Sequence, residues 1–359
     1  MRILILTNFD VGLYQFRREL IQTLLTENEV YISLPYGVLV EPLVEMGCRF
    51  IDTPMERRGM NPVKDGRLFV AYRRMFREVK PELVICYTIK PNIYGGFAAR
   101  IAGIPYAVNV TGLGTAFERD GLLKKMVTVM YRLSCKKAKT VFFENAENRQ
   151  IFLDAKIVQE RQTCLLSGAG VNLEHYAVTD YPAGDVIKFL FIGRVMGEKG
   201  VDELFAAMKR LMGDGVRCTL DMVGGYEEDY GKAVEEAESE GWLKYWGYQE
   251  DVRPFIAASH CFVLPSWHEG MANTNLECAA SGRPVITSRI HGCMEAVEDG
   301  VTGFLCERKN SGSLYRVMKK FTELSFDERR AMGLAGRKRM EAIFDKKRVV
   351  HETMTRLME

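Results

Sequence analysis

Short, continuously apolar runs alternate with longer amphipathic stretches along this chain of 359 residues. In the first half the apolar runs fall at residues 2–7, 29–34, 82–87, 105–110 and 140–143. Runs of that length without polar alternation predict strands buried on both faces, and the helical stretches between them then cover a parallel sheet. A second series of the same kind begins near Val186. Between the two, Ser167–Tyr176 and Asp180–Asp185 gather Gly, Asn, Asp and Pro into a turn-rich linker, which puts a domain boundary close to residue 170. The pattern predicts an α/β protein with one domain over residues 1–170 and a second over 171–344. Residues 345–359 then form a closing amphipathic helix. There is no repeat of 20–50 residues beyond the likeness of the two halves.

Length and composition agree with two domains that each bury a core: 47% of residues are hydrophobic and no tract is of low complexity. Nine cysteines without a CxxC argue against a disulfide framework or a zinc site. The apolar start, Met1-Arg2-Ile3-Leu4-Ile5-Leu6, is too short for a signal peptide and reads as a first strand. No stretch approaches the roughly 20 apolar residues of a membrane span, so a cytoplasmic location is expected.

Charge adds a second theme, because the net +2 hides an asymmetry. Residues 1–165 hold 24 Lys and Arg against 17 Asp and Glu, and the remainder holds 25 against 30. Positive charge concentrates in residues 57–80 and 119–139, interleaved with Leu68, Phe69, Tyr72 and Phe76, then with Leu122, Leu123, Met126, Val127 and Met130. Basic amphipathic helices suit an anionic membrane surface, each cation contributing roughly 1 kcal/mol there. Two solvated helix faces over an ordinary core explain the pattern about as well. Nucleic acid is not expected, since no nucleic-acid motif is present and the whole chain is not strongly basic.

Candidate chemistry lies in two strand-to-helix loops of the second half. Cys261-Phe262-Val263-Leu264 runs into Pro265-Ser266-Trp267-His268-Glu269-Gly270, and Glu277 follows eight positions after Glu269. If the helix starts at once, eight residues rise roughly 12 Å, close to the span from ribose to sugar in a nucleotide-sugar. The N–H groups of Met271, Ala272, Asn273 and Thr274 would then point at a phosphate lying between the carboxylates. A carboxylate accepts well from vicinal hydroxyls, which suits Glu277 to a ribose diol and Glu269 to a hexose. An isolated pair of this kind is equally well an acidic helix start with a solvated Glu beyond it. Upstream, Phe189-Leu190-Phe191-Ile192-Gly193-Arg194 leads to Gly197-Glu198-Lys199-Gly200. Arg194 and Lys199 stand at the carboxyl end of a strand, where open α/β sheets bind ligands, and together can neutralise a diphosphate. Pairing of Lys199 with Glu198 or Glu203 is the plainer alternative.

In this order the motifs resemble the family 4 retaining glycosyltransferases of GT-B architecture. The likeness rests on Gly193-Arg194 through Lys199-Gly200, Pro265-Ser266 with Glu269 and Glu277, Ala279-Ala280-Ser281-Gly282-Arg283-Pro284, Gly292 with Glu295, and Asp299-Gly300-Val301-Thr302-Gly303-Phe304. It implies two Rossmann-like domains facing a deep cleft, with the terminal helix crossing back onto the first domain. It also implies that Arg194 and Lys199 hold the donor diphosphate, Glu277 the ribose and Glu269 the transferred sugar, with Gly193 and Gly270 completing that wall.

Tyr87-Thr88-Ile89-Lys90-Pro91-Asn92-Ile93-Tyr94-Gly95 and Asn109-Val110-Thr111-Gly112-Leu113-Gly114-Thr115-Ala116-Phe117 are similar to a subgroup that extends undecaprenyl-diphosphate-linked sugars in bacterial surface glycans, some members being α-1,3-N-acetylgalactosaminyltransferases. Both segments follow expected strand ends. Lys90, Asn92, Thr111, Gly112 and Gly114 are therefore the candidate acceptor contacts, with a salt bridge the alternative for Lys90 and a plain turn for the glycines. Gly12, after the first strand, is placed to let a phosphate approach or merely starts its helix.

Many family 4 enzymes carry a His where this chain has Val110-Thr111, so no catalytic His is assigned. His268 is taken as a loop residue, and Ala272 stands where Pro is common. No Asp-x-Asp is present to hold a metal, and Glu227-Glu228-Asp229 reads as the acidic first turn of a helix. The expectation is metal-independent, retaining transfer from a UDP-sugar, UDP-GalNAc as best match, without a cofactor. The expected acceptor is a polyprenyl-diphosphate-linked sugar, met by a monomer on the cytoplasmic face of the inner membrane. A GT-B epimerase or phosphorylase, or a non-catalytic nucleotide-sugar sensor, are the other classes the motifs allow.

Overall fold

The structure, a computed structural model, describes residues 1–56, 59, 61–113, 117 and 121–359. Gly114, Thr115, Ala116, and the cations Arg57, Arg58 and Arg119 of the two basic segments lie outside the described residues. The chain divides into two compact units, Met1–Ala169 with Lys347–Glu359, and Gly170–Lys346.

The first unit is built on β1 (Arg2–Leu6), β2 (Glu29–Leu34), β3 (Arg49–Asp52), β4 (Leu83–Tyr87), β5 (Tyr106–Val110), β6 (Thr140–Phe143) and β7 (Thr163–Leu165). They form one sheet in the order β3-β2-β1-β4-β5-β6-β7. Every pairing is parallel, with Ile5 of β1 opposite Ile32 on one side and Ile85 on the other. The central strands β4, β5 and β6 are buried at every position, as expected of strands covered by helices on both faces. The helix Pro62–Val79 starts where Asn61 accepts from the N–H groups of Val63 and Lys64, with Pro at its first position. The terminal helix Lys346–Met358 closes this unit: Val349 and Leu357 join its core, and Lys139 Nζ donates to the Leu357 carbonyl at 2.9 Å.

The second unit carries β8 (Ile187–Ile192), β9 (Cys218–Val223), β10 (Leu243–Tyr245), β11 (Cys261–Leu264), β12 (Val285–Ser288) and β13 (Gly303–Cys306). Their order is β10-β9-β8-β11-β12-β13, again all parallel. The chain winds outward from β8 in one direction and then restarts at β11 in the other. The loops leaving the carboxyl ends of β8 and β11 therefore flank the point where the winding reverses, the usual ligand crevice of an open α/β sheet. The same reversal occurs between β1 and β4 in the first unit.

Candidate active site

Both motif loops of the second half leave those two strands. After β8 the chain runs through Gly193 and Arg194 to a short turn, Gly197–Lys199, and then the helix Val201–Gly213. After β11 it runs through Pro265–Ala272 to the helix Asn273–Ala280. The loops are joined by backbone: Trp267 N–H donates to the Glu198 carbonyl at 2.9 Å. Gly200, at φ +75°, lies so close that a Cβ there would stand 2.2 Å from the Pro265 carbonyl oxygen, so no larger residue fits. Further along, Gly292 (φ +87°) packs against the Glu269 peptide, a Cβ there falling 2.6 Å from its carbonyl oxygen. Glu295 fixes that corner, its carboxylate accepting from Gly292 N–H at 2.7 Å and facing His291 Nδ1 at 2.8 Å.

Within this frame Lys199 Nζ and Glu269 Oε1 form an ion pair, and Ser266 Oγ donates to the same Glu269 oxygen at 2.8 Å. The side chains are only 18% and 12% exposed, so the pair keeps much of its strength from water. Arg194 is more open and faces Glu227 Oε2 at 3.5 Å. Glu228 Oε2 accepts from Gly197 N–H at 2.8 Å. These acidic residues therefore do not open a helix, which starts only at Gly231; they sit in the loop after β9 and brace the cationic loop. Sequence spacing could not show this, because the contacts run across 31 to 33 positions. His268 lies in its loop, with Nε2 3.5 Å from Glu198 Oε2.

The helix behind Glu269 starts later than the spacing suggests. Met271 and Ala272 precede it, both buried, and Ala272 N–H donates to the Gly292 carbonyl at 2.7 Å. That N–H is consequently not available to a phosphate, and Asn273 and Thr274 form the helix start. Glu277 is the fifth residue of this helix rather than one two turns in. It is half-buried, and Tyr176 and Lys346 are the groups whose polarity and charge act on its carboxyl. Burial raises its pKa from the ordinary 4.5 to about 7, against the pull of Tyr176 and Lys346. Neither Tyr176 nor Lys346 was marked by the sequence motifs.

The candidates of the first unit divide. Gly12 is the third residue of the helix Asp10–Leu25, in a different unit from the other donor candidates. Lys90 is buried and pairs with Asp65 Oδ1 at 2.8 Å; Tyr94 donates to the other oxygen at 3.2 Å. Asp65, on the helix Pro62–Val79, is packed directly against Lys90. Asn92 is buried in a π-helical turn, Pro91–Gly95; its amide donates to the Asn109 carbonyl at 2.8 Å, and its own carbonyl accepts from Ser134 at 2.7 Å. Thr111 and Gly112 remain half-exposed at the end of β5. Thr88, at the end of β4, holds the left-handed φ of +70°, rare for a β-branched residue, and its buried hydroxyl finds no partner among the described residues.

Two family models match the chain: glycosyl transferases group 1 over residues 187–323, and glycosyl transferase 4-like over residues 13–145. The first spans both motif loops just described. The chain belongs to the family 4 glycosyltransferases. This glycosyltransferase is 26% identical over 361 aligned residues to the N,N'-diacetylbacillosaminyl-diphospho-undecaprenol alpha-1,3-N-acetylgalactosaminyltransferase of Campylobacter jejuni, covering 96% of this chain and 94% of that one. It is also 26% identical to the UDP-Gal:alpha-D-GlcNAc-diphosphoundecaprenol alpha-1,3-galactosyltransferase of Escherichia coli, over 74% of this chain and 73% of the relative. Among solved structures, Anabaena HepE in complex with UDP and glucose superposes with a TM-score of 0.83 at 16% identity, covering 100% and 99% of the two chains, which establishes the GT-B fold.

Proposed function

We propose that this glycosyltransferase transfers a hexose or N-acetylhexosamine from a UDP-sugar to a polyprenyl-diphosphate-linked sugar during bacterial glycan assembly. GalNAc in α-1,3 linkage is the specific assignment, favoured by the Campylobacter relative named above. The observation that carries the reading is the Lys199–Glu269 pair at the reversal point between β8 and β11, with Arg194 on the same loop as Lys199 and Glu277 on the helix that follows Glu269. Lys199 and Arg194 would neutralise the diphosphate as its negative charge develops, when fixed cations lower the barrier most. Glu277 would accept the ribose hydroxyls. Glu269, held by Lys199 and Ser266, would accept from the sugar and set its orientation.

With these cations on the leaving group, transfer proceeds without a metal. The acceptor hydroxyl attacks from the face the diphosphate leaves, so the sugar keeps its anomeric configuration. The departing phosphate oxygen takes the hydroxyl proton.

The acceptor's lipid places this chemistry at the cytoplasmic face of the inner membrane. Among the described residues no helix is long and apolar enough to cross a membrane. The helix Leu122–Cys135 supports a surface attachment instead: Leu122, Met126, Val129 and Leu133 form one exposed stripe, while Val127, Tyr131 and Cys135 face the core. Lys125, Arg132, Lys136 and Lys137 lie exposed beside the stripe. Apolar and cationic groups together are what an anionic bilayer surface binds.

The test is a donor screen read by released nucleoside diphosphate, with EDTA, in the presence and absence of a short polyprenyl-diphosphate-HexNAc. Release that requires the lipid and survives EDTA is expected. Release indifferent to the lipid across all donors would overturn the acceptor assignment.

A further inference from the structure

At the first unit's own reversal, between β1 and β4, the chain leaves β4 through Thr88. Its φ of +70° is left-handed, a region that a β-branched residue resists because Cβ is driven toward the following carbonyl. Among the described residues three other non-glycines have a positive φ, and all three are exposed lysines, whereas Thr88 is half-buried. Both sides of Thr88 are pinned. Tyr87, the last residue of β4, is in register with Asn109, whose side-chain amide donates to the Cys86 carbonyl at 3.1 Å. On the other side Asn92 N–H donates to the Thr88 carbonyl at 2.9 Å, and the Asn92 side chain donates to the Asn109 carbonyl at 2.8 Å. Lys90 Nζ and the Tyr94 hydroxyl hold the same turn to the two oxygens of Asp65, at 2.8 and 3.2 Å. The turn cannot relax without breaking these bonds, so the strain is retained, and strain retained in this way gathers where a protein meets its ligand.

The side chain supplies a second, independent observation. The Thr88 hydroxyl is buried and bonded to nothing among the described residues, although a hydroxyl can donate once and accept twice. The residue as a whole is half-exposed, so a turn about its Cα–Cβ bond exchanges hydroxyl and methyl and brings the hydroxyl round. We infer that Thr88 is a specificity-determining residue for the acceptor, its hydroxyl meeting a hydroxyl of the lipid-linked sugar at the carboxyl end of β4. This rests on the reading of the acceptor as a polyprenyl-diphosphate-linked sugar. Charge decides between sugar and phosphate as the group met. Lys90, two residues on, is paired with Asp65, so the charge beside Thr88 is balanced within the protein and suits an uncharged hydroxyl. A site that bonds one sugar hydroxyl rejects acceptors that do not present it, because its own polar group is then left unpaired.

The experiment measures transfer by the full-length protein to a short polyprenyl-diphosphate-HexNAc, with melting temperatures alongside. Thr88→Val keeps the branched shape and the backbone strain and removes the hydroxyl alone. It should raise the acceptor KM about ten-fold and leave the donor KM unchanged. The melting temperature should not fall, because the hydroxyl removed has no partner in the protein. Thr88→Ser, which keeps a hydroxyl, should hold the acceptor KM close to wild type. Polyprenyl diphosphate without a sugar should inhibit wild type and the Thr88→Val variant alike. An unchanged acceptor KM in Thr88→Val, an equal rise in both KM values, or a lowered melting temperature would each overturn the assignment and leave the residue a structural role. Weaker inhibition of that variant by the sugar-free lipid would overturn the sugar contact in favour of the phosphate. If wild-type protein transfers nothing to the lipid, the acceptor reading itself falls and takes this assignment with it.

Discussion

Replacing Glu277 by Gln should stabilise the second unit at alkaline pH while removing nucleotide affinity. The carboxyl's pKa is raised from 4.5 to about 7 because burial disfavours its charge. A folded-state pKa above the unfolded one means that the folded protein binds more protons between the two values. The associated stabilisation is complete below pH 4.5 and gone once pH has risen past about 7. At roughly 1.4 kcal/mol per pKa unit, wild-type protein should lose about 2–3 kcal/mol between pH 5 and pH 8 from this group alone. Gln keeps the shape without the charge, so the variant should lack that slope and gain on wild type by the same amount at pH 8.

His260 titrates in an overlapping window with the opposite sign. Burial lowers its pKa from 6.5 to about 4, so its contribution is present above 6.5 and lost as pH falls through about 4. Both proteins carry it, and it cancels in their difference. Urea unfolding followed by tryptophan fluorescence reads the right unit, since Trp242, Trp246 and Trp267 all belong to Gly170–Lys346. A stability difference between variant and wild type that stays constant from pH 5 to pH 8 would refute the buried-carboxylate argument.

Three further outcomes are expected. Gly292→Ala places a Cβ 2.6 Å from the Glu269 carbonyl in a left-handed conformation, so it should lower the melting temperature by the equivalent of about 1–2 kcal/mol and reduce turnover, as a thermal melt and initial rates would show. Arg194→Ala with Lys199→Ala should abolish turnover with the circular dichroism spectrum unchanged, and Glu269→Gln should reduce turnover about a hundred-fold at saturating donor; retained rates would remove those residues from the mechanism. Leu122→Ser, Met126→Ser and Val129→Ser together should reduce co-sedimentation with anionic vesicles and leave the melt unaffected, because all three side chains are exposed.

The central strands were legible because a parallel strand covered on both faces must be apolar throughout: Leu83–Tyr87 and Tyr106–Val110 carry that signature along their length. Arg49–Asp52 and Thr163–Leu165 did not show it. They are the outer strands of their sheet, short and only partly buried, and nothing in their residues separates them from loop. At the site, the carboxylates and cations were legible from their place after apolar runs. Their partners were not, because partnership is fixed by packing between distant elements. Lys90 showed a cation at a strand end, but Asp65 reaches it only through the docking of the helix Pro62–Val79. Glu227 and Glu228 looked like a helix start until the loop after β9 set them against Arg194 and Gly197. The distance from Glu269 to the helix start was likewise invisible, since the bond from Ala272 to the Gly292 carbonyl delays the first turn.

The most direct test of the proposed transfer is the mass of the acceptor. A short polyprenyl-diphosphate-HexNAc is incubated with the protein and the UDP-sugar selected by the screen, and the lipid is weighed by mass spectrometry. Gain of one sugar residue on the lipid, abolished by the Arg194→Ala, Lys199→Ala double variant, is the predicted result. Consumption of the UDP-sugar with the lipid's mass unchanged would contradict it and point to hydrolysis or rearrangement of the donor itself.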